Sequence, residues 1–291
     1  MMLHGRVAQR TRNGVYGLLG AGLSQSSSPL IFGRVFDGLG WPAVYALYDL
    51  PARQLDRFLG GCRDFGIVGL NVTMPYKRRV IDFLDRLDGT AAAVGAVNTI
   101  AVRRGALIGY NTDVDGVVVS LRPHARYLRG KKALILGAGG VARAVAYALT
   151  HRLHMGHITV GVRSPSRARA FLREWGACRA AGALSVCSCD SAGLSAALNT
   201  ASLIVNATPV GGGGLAARSP LPEGLRIPSH AVVFDVVYQP RTTRLLRRAR
   251  SRGCERIIGG WPMLIAQAEA SFRIWTGRGF PISVRRELLA G

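Results

Sequence analysis

Of the 38 basic residues in this chain only Lys77, Lys131 and Lys132 are lysines, and the rest are arginines. Lys77 closes the segment GLNVTMPYK, after an apolar run and a proline turn. Of the two cationic side chains, only lysine can give up its proton near neutral pH, so Lys77 is a candidate acid–base group; the alternative is a surface ion pair with some carboxylate. The same segment carries Asn71 and Thr73, and the stretches GAVNTI and GALIGYNTDVDG bring Asn98 and Asp113. These side chains are too polar for the core positions that their flanking apolar runs imply. Upstream, SQSSSPLIF places Ser26 and Ser28 ahead of Pro29 at a helix start. Two hydroxyls beside free backbone N–H groups form a natural carboxylate site, although simple N-capping by Ser28 would use the same residues.

A second chemistry is written in ALILGAGGVARAVAYAL, where Gly137, Gly139 and Ala142 fall in the G-x-G-x-x-G/A arrangement between a strand and a helix. Gly137 permits the tight turn, Gly139 lets the backbone approach a pyrophosphate, and Ala142 lets the helix pack closely on the strand. Ala138, Gly140 and Val141 complete the loop, with the helix N-terminus facing the phosphates. An NAD site calls for an acidic residue at the end of the second strand, yet none occurs between Lys132 and Glu174. GVRSPSRAR instead offers Arg163, Ser164 and Arg167, able to clamp a 2′-phosphate through charge-assisted hydrogen bonds. NADP is therefore expected in preference to NAD, with Arg169 and Arg173 as solvated surface residues.

Elements must hold these groups in place. Short apolar runs alternate with helix-like stretches: Val15 to Gly20 as strand, Pro29 to Gly38 as helix, Ala43 to Leu50 as strand and Ala52 to Phe65 as helix. A second series begins at Ala133 to Leu136 as a buried parallel strand. It continues with Val141 to Arg152 as helix, and with Ile158 to Val162, Leu203 to Asn206 and Val232 to Val236 as strands. This α/β reading divides the chain into residues 1–112 and 113–259, joined by a helical stretch from Asp115 to Leu121. The helix Pro262 to Thr276, within residues 260–291, is a candidate to return to the first domain. Gly211 to Gly214 reads as a flexible loop beside a functional strand end.

The 291 residues are 48% hydrophobic and only 19% charged, which excludes a disordered polyelectrolyte. The net charge of +22 admits anionic partners: nucleic acid, an acidic membrane surface or a phosphorylated small molecule. A skew made almost wholly of arginine also has the bland reading of coding bias. Cys62, Cys178, Cys187, Cys189 and Cys254 lack paired metal spacings, so reduced thiols, no metal site and a cytoplasmic location are expected. The basic stretch Met1 to Asn13 reads as a frayed tail, and no apolar window is long enough to span a membrane.

The segments SSSP, NVTMPYK, GAVNTI, GYNTD, GAGGVA, VNATPVG, DVVYQPRTT and GGWPMLIAQAEASF follow one another in this order. In these the chain resembles the shikimate and quinate dehydrogenase family from about Val15 to the C-terminus. The resemblance implies an N-terminal α/β substrate domain completed by the C-terminal helix, with an inserted Rossmann NADP-binding domain. It implies an oxidoreductase of aromatic amino acid (chorismate) biosynthesis that interconverts 3-dehydroshikimate and shikimate, with Lys77 and Asp113 as catalytic pair. Ser26 and Ser28 would hold the substrate carboxylate, and Asn71, Thr73, Asn98 and Gln267 would reach its other oxygens. Tyr238 would lie near substrate and nicotinamide, or else serve as an aromatic plug at a strand end. Thr208, Gly260 and Met263 would join the cofactor site. Family members are monomers or homodimers.

The chain also departs from the family pattern. Phe32 and Gly33 stand where His-Asn is usual, the glycine run replaces a methionine, and Val162 replaces the asparagine that opens the NADP motif. Two rivals follow. One is an NAD-dependent quinate/shikimate or aminoshikimate dehydrogenase. The other is a basic nucleic-acid-binding protein on a Rossmann scaffold, against which stand the scattered arginines and the lack of aromatic interleaving.

Overall fold

The computed structural model describes residues 13–177 and 183–290. Two compact units are present: Met1–Thr112 with Ile265–Gly291, and Asp113–Leu264. The expected tail and Cys178 lie largely or wholly outside the described residues.

The first unit holds β1 (Val15–Gly20), α1 (Ser28–Leu39), β2 (Val44–Asp49), α2 (Leu55–Gly61), β3 (Ile67–Val72), β4 (Arg86–Leu87), α3 (Gly89–Val94), β5 (Thr99–Arg103) and β6 (Ala106–Tyr110). Its six strands run in the order β2-β1-β3-β5-β6-β4. The β1–β2, β1–β3 and β4–β6 pairs are parallel, whereas β5 is antiparallel to both β3 and β6. Every residue of the central strand β3 is buried, as an apolar run covered on both faces requires. One face packs on Leu55, Leu59, Tyr76, Val80 and Ala91. Elsewhere Tyr16, Phe32, Phe36, Phe272, Trp275 and Phe280 form a cluster of tilted and edge-on rings. The helix expected over Ala52 to Phe65 is shorter: a 3-10 turn covers Ala52–Gln54, and α2 stops at Gly61. The Gly60–Gly61 pair weakens helix propagation, and Gly66 turns the chain with φ 70°.

The second unit contains α4 (Asp113–Leu121), α5 (Ala125–Leu128), β7 (Lys132–Leu136), α6 (Gly140–Tyr147), β8 (His157–Val162), α7 (Pro165–Ala177), β9 (Ala183–Ser188), α8 (Ser191–Thr200), β10 (Leu203–Asn206), β11 (Val232–Asp235), α9 (Arg244–Ser251) and β12 (Ile257–Ile258). Its sheet is parallel throughout, in the order β12-β11-β10-β7-β8-β9. The chain moves outward from β7 to β8 and β9, then returns to β10 on the opposite side. The carboxyl ends of β7 and β10 thus border a topological switch point, where open parallel sheets bind ligands. α6 passes at Ala148 into a π-helical turn ending at Arg152, in place of the single helix expected over Val141 to Arg152. The glycine run forms a loop with local turn structure. Gly211 donates its N–H to Leu215 at 3.1 Å, Gly212 to Pro209 at 3.2 Å, and a 3-10 turn covers Gly213–Leu215.

Two further helices complete the described chain: α10 (Trp261–Thr276), whose residues from Ile265 onward belong to the first unit, and α11 (Ile282–Ala290).

Candidate active site

In the first unit, β3 ends in a turn through the cis Met74–Pro75 bond and delivers Lys77. The turn is closed by Thr73 N–H to Leu19 O and by Tyr76 N–H to Thr73 O, both 2.9 Å. The carbonyl of Lys77 accepts the Val97 N–H at 2.6 Å, which ties the lysine backbone to the chain beside Asn98.

Asn71 and Asn98 are buried and engaged at both ends of their amides. Asn71 Oδ1 accepts the Tyr45 hydroxyl at 2.8 Å, and its Nδ2 donates to Ser271 Oγ at 2.9 Å. Asn98 Oδ1 accepts the Thr112 N–H at 2.7 Å, while its Nδ2 donates to Thr112 Oγ1 at 2.9 Å and to Gln267 Oε1 at 3.3 Å. The hydroxyls of Thr99, Thr112 and Ser271 lie 2.8 to 3.2 Å from one another. Three amides expected from the sequence, Asn71, Asn98 and Gln267, thereby share one hydrogen-bonded cluster. Thr99, Thr112, Ser271 and Tyr45 were not singled out. Ser271 lies four residues after Gln267, one helical turn on, and that spacing is a signal that could have found it.

The serine segment differs in one respect from expectation. The N-cap of α1 is Ser27, with no side-chain capping bond, and Ser28 is the first helical residue. The Ser28 N–H donates to Ser26 Oγ at 3.2 Å, so one helix-end donor is already occupied. Asp49 steadies the preceding loop, accepting the N–H groups of Gly22 and Leu23 at 3.1 and 2.9 Å. Phe32, one of the departures from the family pattern, is fully buried and stacks on Tyr45 with centroids 4.3 Å apart and planes 6° from parallel. Burial raises the Tyr45 phenol pKa well above its ordinary value, opposed by a hydrogen bond with Ser28. Tyr45 therefore joins Ser28 to Asn71.

In the second unit, Gly137 adopts φ 111°, open to glycine and strained for other residues. A Cβ there would lie 2.9 Å from Thr208 Cγ2 and 3.1 Å from Ala207 O. At Gly139, the N-cap of α6, a Cβ would meet nothing within 4 Å. Backbone exposed over open space ahead of a helix N-terminus fits a dinucleotide pyrophosphate. Ala138, Gly140 and Val141 share that partly exposed turn, and Ala142 is fully buried beneath it. Arg163 and Arg167 are exposed at the carboxyl end of β8. Ser164 Oγ accepts the Arg167 N–H at 3.3 Å and bonds Ser166 Oγ at 3.0 Å, so the first turn of α7 presents hydroxyls and guanidiniums together. Arg169 and Arg173 are exposed, and Val162 is buried with no polar atom to offer.

Thr208 donates its hydroxyl to Asn206 Oδ1 at 2.7 Å and accepts the Val210 N–H at 3.2 Å. Tyr238 is half-buried, with its ring 6.4 Å from that of Trp261, over which the Arg241 guanidinium sits at 3.7 Å. Gly260 donates its N–H to Val237 O at 3.2 Å, and a Cβ there would fall 2.3 Å from Val236 O. Met263 is buried a turn before Gln267 on α10, and Asp113 is buried in the first turn of α4. Cys187 lies on β9 and Cys189 just after it; burial raises both thiols, Cys187 to about 11.

Residues 18–100 match the profile of the shikimate dehydrogenase substrate-binding domain, and residues 260–289 match that of the shikimate 5'-dehydrogenase C-terminal domain. The NADP(+) shikimate dehydrogenase of Symbiobacterium thermophilum is 38% identical over 97% of this chain and 95% of its own. A shikimate dehydrogenase crystallised with NADP+ superposes with a TM-score of 0.84, at 32% identity over 96% of this chain and 95% of the other. The Thermus thermophilus shikimate 5-dehydrogenase, in complex with NADP(H) and shikimate, gives 0.81 at 34% identity over 95% and 98%. The chain belongs to the shikimate dehydrogenase family.

Proposed function

We propose that this enzyme, an NADP-dependent oxidoreductase, reversibly reduces 3-dehydroshikimate to shikimate in aromatic amino acid biosynthesis. The observation that carries the reading is the Asn71–Asn98–Gln267 cluster, two buried asparagines held by the hydroxyls of Ser271 and Thr112 and a half-buried glutamine bonded to Asn98, with the Lys77 backbone tied in beside Asn98. Bonds that fix these side chains in set directions make a rigid polar wall, which suits a small ligand rich in hydroxyls.

When bound, NADP supplies or takes up the hydride at the ring carbon. Lys77 delivers the proton to the ketone oxygen in reduction and removes it in oxidation, so that a hydride and a proton together convert ketone to secondary alcohol. Asp113 fixes the ammonium. Ser26 and Ser28 grip the carboxylate, Asn71, Thr73, Asn98 and Gln267 hold the remaining oxygens, and Tyr238 lines the nicotinamide end. Gly137 to Ala142 would cradle the pyrophosphate, Arg163, Ser164 and Arg167 would take the 2′-phosphate, and Thr208, Gly260 and Met263 would join the cofactor site.

A kinetic matrix of shikimate and quinate against NADP and NAD tests this reading. The expected outcome is a higher kcat/KM for shikimate with NADP than for any other pair. Preference for quinate, or for NAD, points instead to the NAD-dependent quinate or aminoshikimate activity. No NADP-linked oxidation of shikimate defeats the proposal.

A further inference from the structure

Asp235 is a buried carboxylate that none of these roles uses. It ends β11 with no solvent exposure, as do its neighbours Asn206 and Thr243. Three donors face it from three segments. Asn206 Nδ2 and the Val237 N–H reach Oδ1 at 2.8 and 3.0 Å, and Thr243 Oγ1 reaches Oδ2 at 2.6 Å.

Each donor leads elsewhere. Asn206 turns its Oδ1 toward the N–H and hydroxyl of Thr208 at 3.0 and 2.7 Å, and its Nδ2 also reaches Val210 O at 2.9 Å. Val237 precedes Tyr238 and accepts the Gly260 N–H. Thr243 caps α9 by accepting the Leu246 N–H at 3.3 Å. Thr208 in turn lies so close to Gly137 that there is no room for a Cβ between them. The Thr208 loop, the Tyr238 loop and the start of α9 are therefore referred to one carboxylate. Burying a carboxylate is costly, and here the cost is met by three hydrogen bonds that link separate segments instead of by an opposite charge.

We propose that Asp235 is a positioning residue for the cofactor, holding the Thr208 and Tyr238 loops in place so that NADP meets a pre-formed pocket. The proposal rests on the NADP reading above. Removing the carboxylate leaves Asn206, Val237 and Thr243 to find other partners, and the loops lose their common reference. Asparagine at this position keeps an acceptor for Asn206 and Val237 and can donate to the Thr243 hydroxyl, so it preserves the arrangement.

The test is NADPH binding by fluorescence titration, without turnover, on the wild-type protein and on Asp235→Ala and Asp235→Asn, with thermal unfolding of each. Asp235→Ala is expected to weaken NADPH by about tenfold, while Asp235→Asn stays within about twofold of wild type. Because Tyr238 is also placed near the substrate, KM for shikimate at saturating NADP can rise in Asp235→Ala, but by less than the loss in NADPH affinity; equal losses in both would mark general loosening and overturn the inference. Should Asp235→Ala fail to fold, Thr243→Val removes one donor to Asp235 together with the α9 cap bond, which the unfolding midpoint reports separately, and is expected to weaken NADPH about threefold. Wild-type NADPH affinity in Asp235→Ala, or in Thr243→Val where that variant stands in, overturns the inference. Wild-type protein that does not bind NADPH at all overturns the functional reading instead.

Discussion

Lys77 is conspicuous because lysine is rare here, and its chemistry is the easiest to isolate. Lys77→Ala is expected to lower kcat by about 10²- to 10⁴-fold, the usual worth of a positioned acid–base group, with NADPH affinity unchanged. Steady-state kinetics beside a fluorescence titration separates the two quantities. Asp235 allows a prediction about stability. Burial pushes its pKa up from 3.8 to about 6, against the bonds from Thr243, Val237 and Asn206. A carboxyl that holds its proton more tightly when folded favours the native state fully below pH of about 4, and that contribution is lost as pH rises through about 6. Asp235→Asn should remove a pH dependence worth about 3 kcal/mol between these limits, seen as a flatter unfolding midpoint across this range. Among the individual residues, Asn71 and Asn98 were legible because an amide after an apolar run is conspicuous. Their pairing was not: helical spacing from Gln267 points to Ser271, but Ser271 lies 200 residues from Asn71 and no local pattern connects those two.

At the scale of elements, glycine placement decides how closely segments approach. Gly69 on β3 faces the Trp275 indole on α10, where a Cβ would fall 2.2 Å from Nε1. That indole also donates to Ile100 O at 2.9 Å and so pins the helix to β5. Gly69→Ala should therefore destabilise the protein by about 1–3 kcal/mol, as overpacking does, and chemical denaturation would show it. The glycine loop after β7 was readable in advance because its φ requirement is local. The early end of α2 and the turn within the glycine run were harder to read. Weak propagation through Gly60–Gly61 competes with an apolar pattern that points to a longer helix, and the close approach of Gly212 to Val237 Cγ1, 2.8 Å from a would-be Cβ, is a tertiary contact.

Over the whole molecule, the charge of +22 divides into different uses. Arg248 serves the fold, donating to the carbonyls of Leu221, Pro222, Glu223 and Leu225. Arg63 pairs with Asp85, Arg34 with Glu287 and Arg244 with Glu223 at exposed positions where ion pairs contribute little. Arg163 and Arg167 stand apart at the end of β8 beside the glycine cradle. Replacing both by alanine should raise KM for NADP about tenfold or more while leaving KM for NAD nearly unchanged, since only NADP carries the 2′-phosphate. The background field should act on both nucleotides, and more strongly on NADP with its additional phosphate, so added salt should raise both KM values in wild type and variant. The amino-acid sequence alone determined the α/β class and the glycine turn after β7 and made Lys77 a candidate, because φ > 0, strand–helix alternation and residue scarcity are local properties. Only the tertiary structure decided which hydroxyls lock Asn71 and Asn98 and what Asp235 holds together. Those bonds join residues from separate strands and helices, and a hydrogen bond has direction and a short reach that only the packed chain can satisfy.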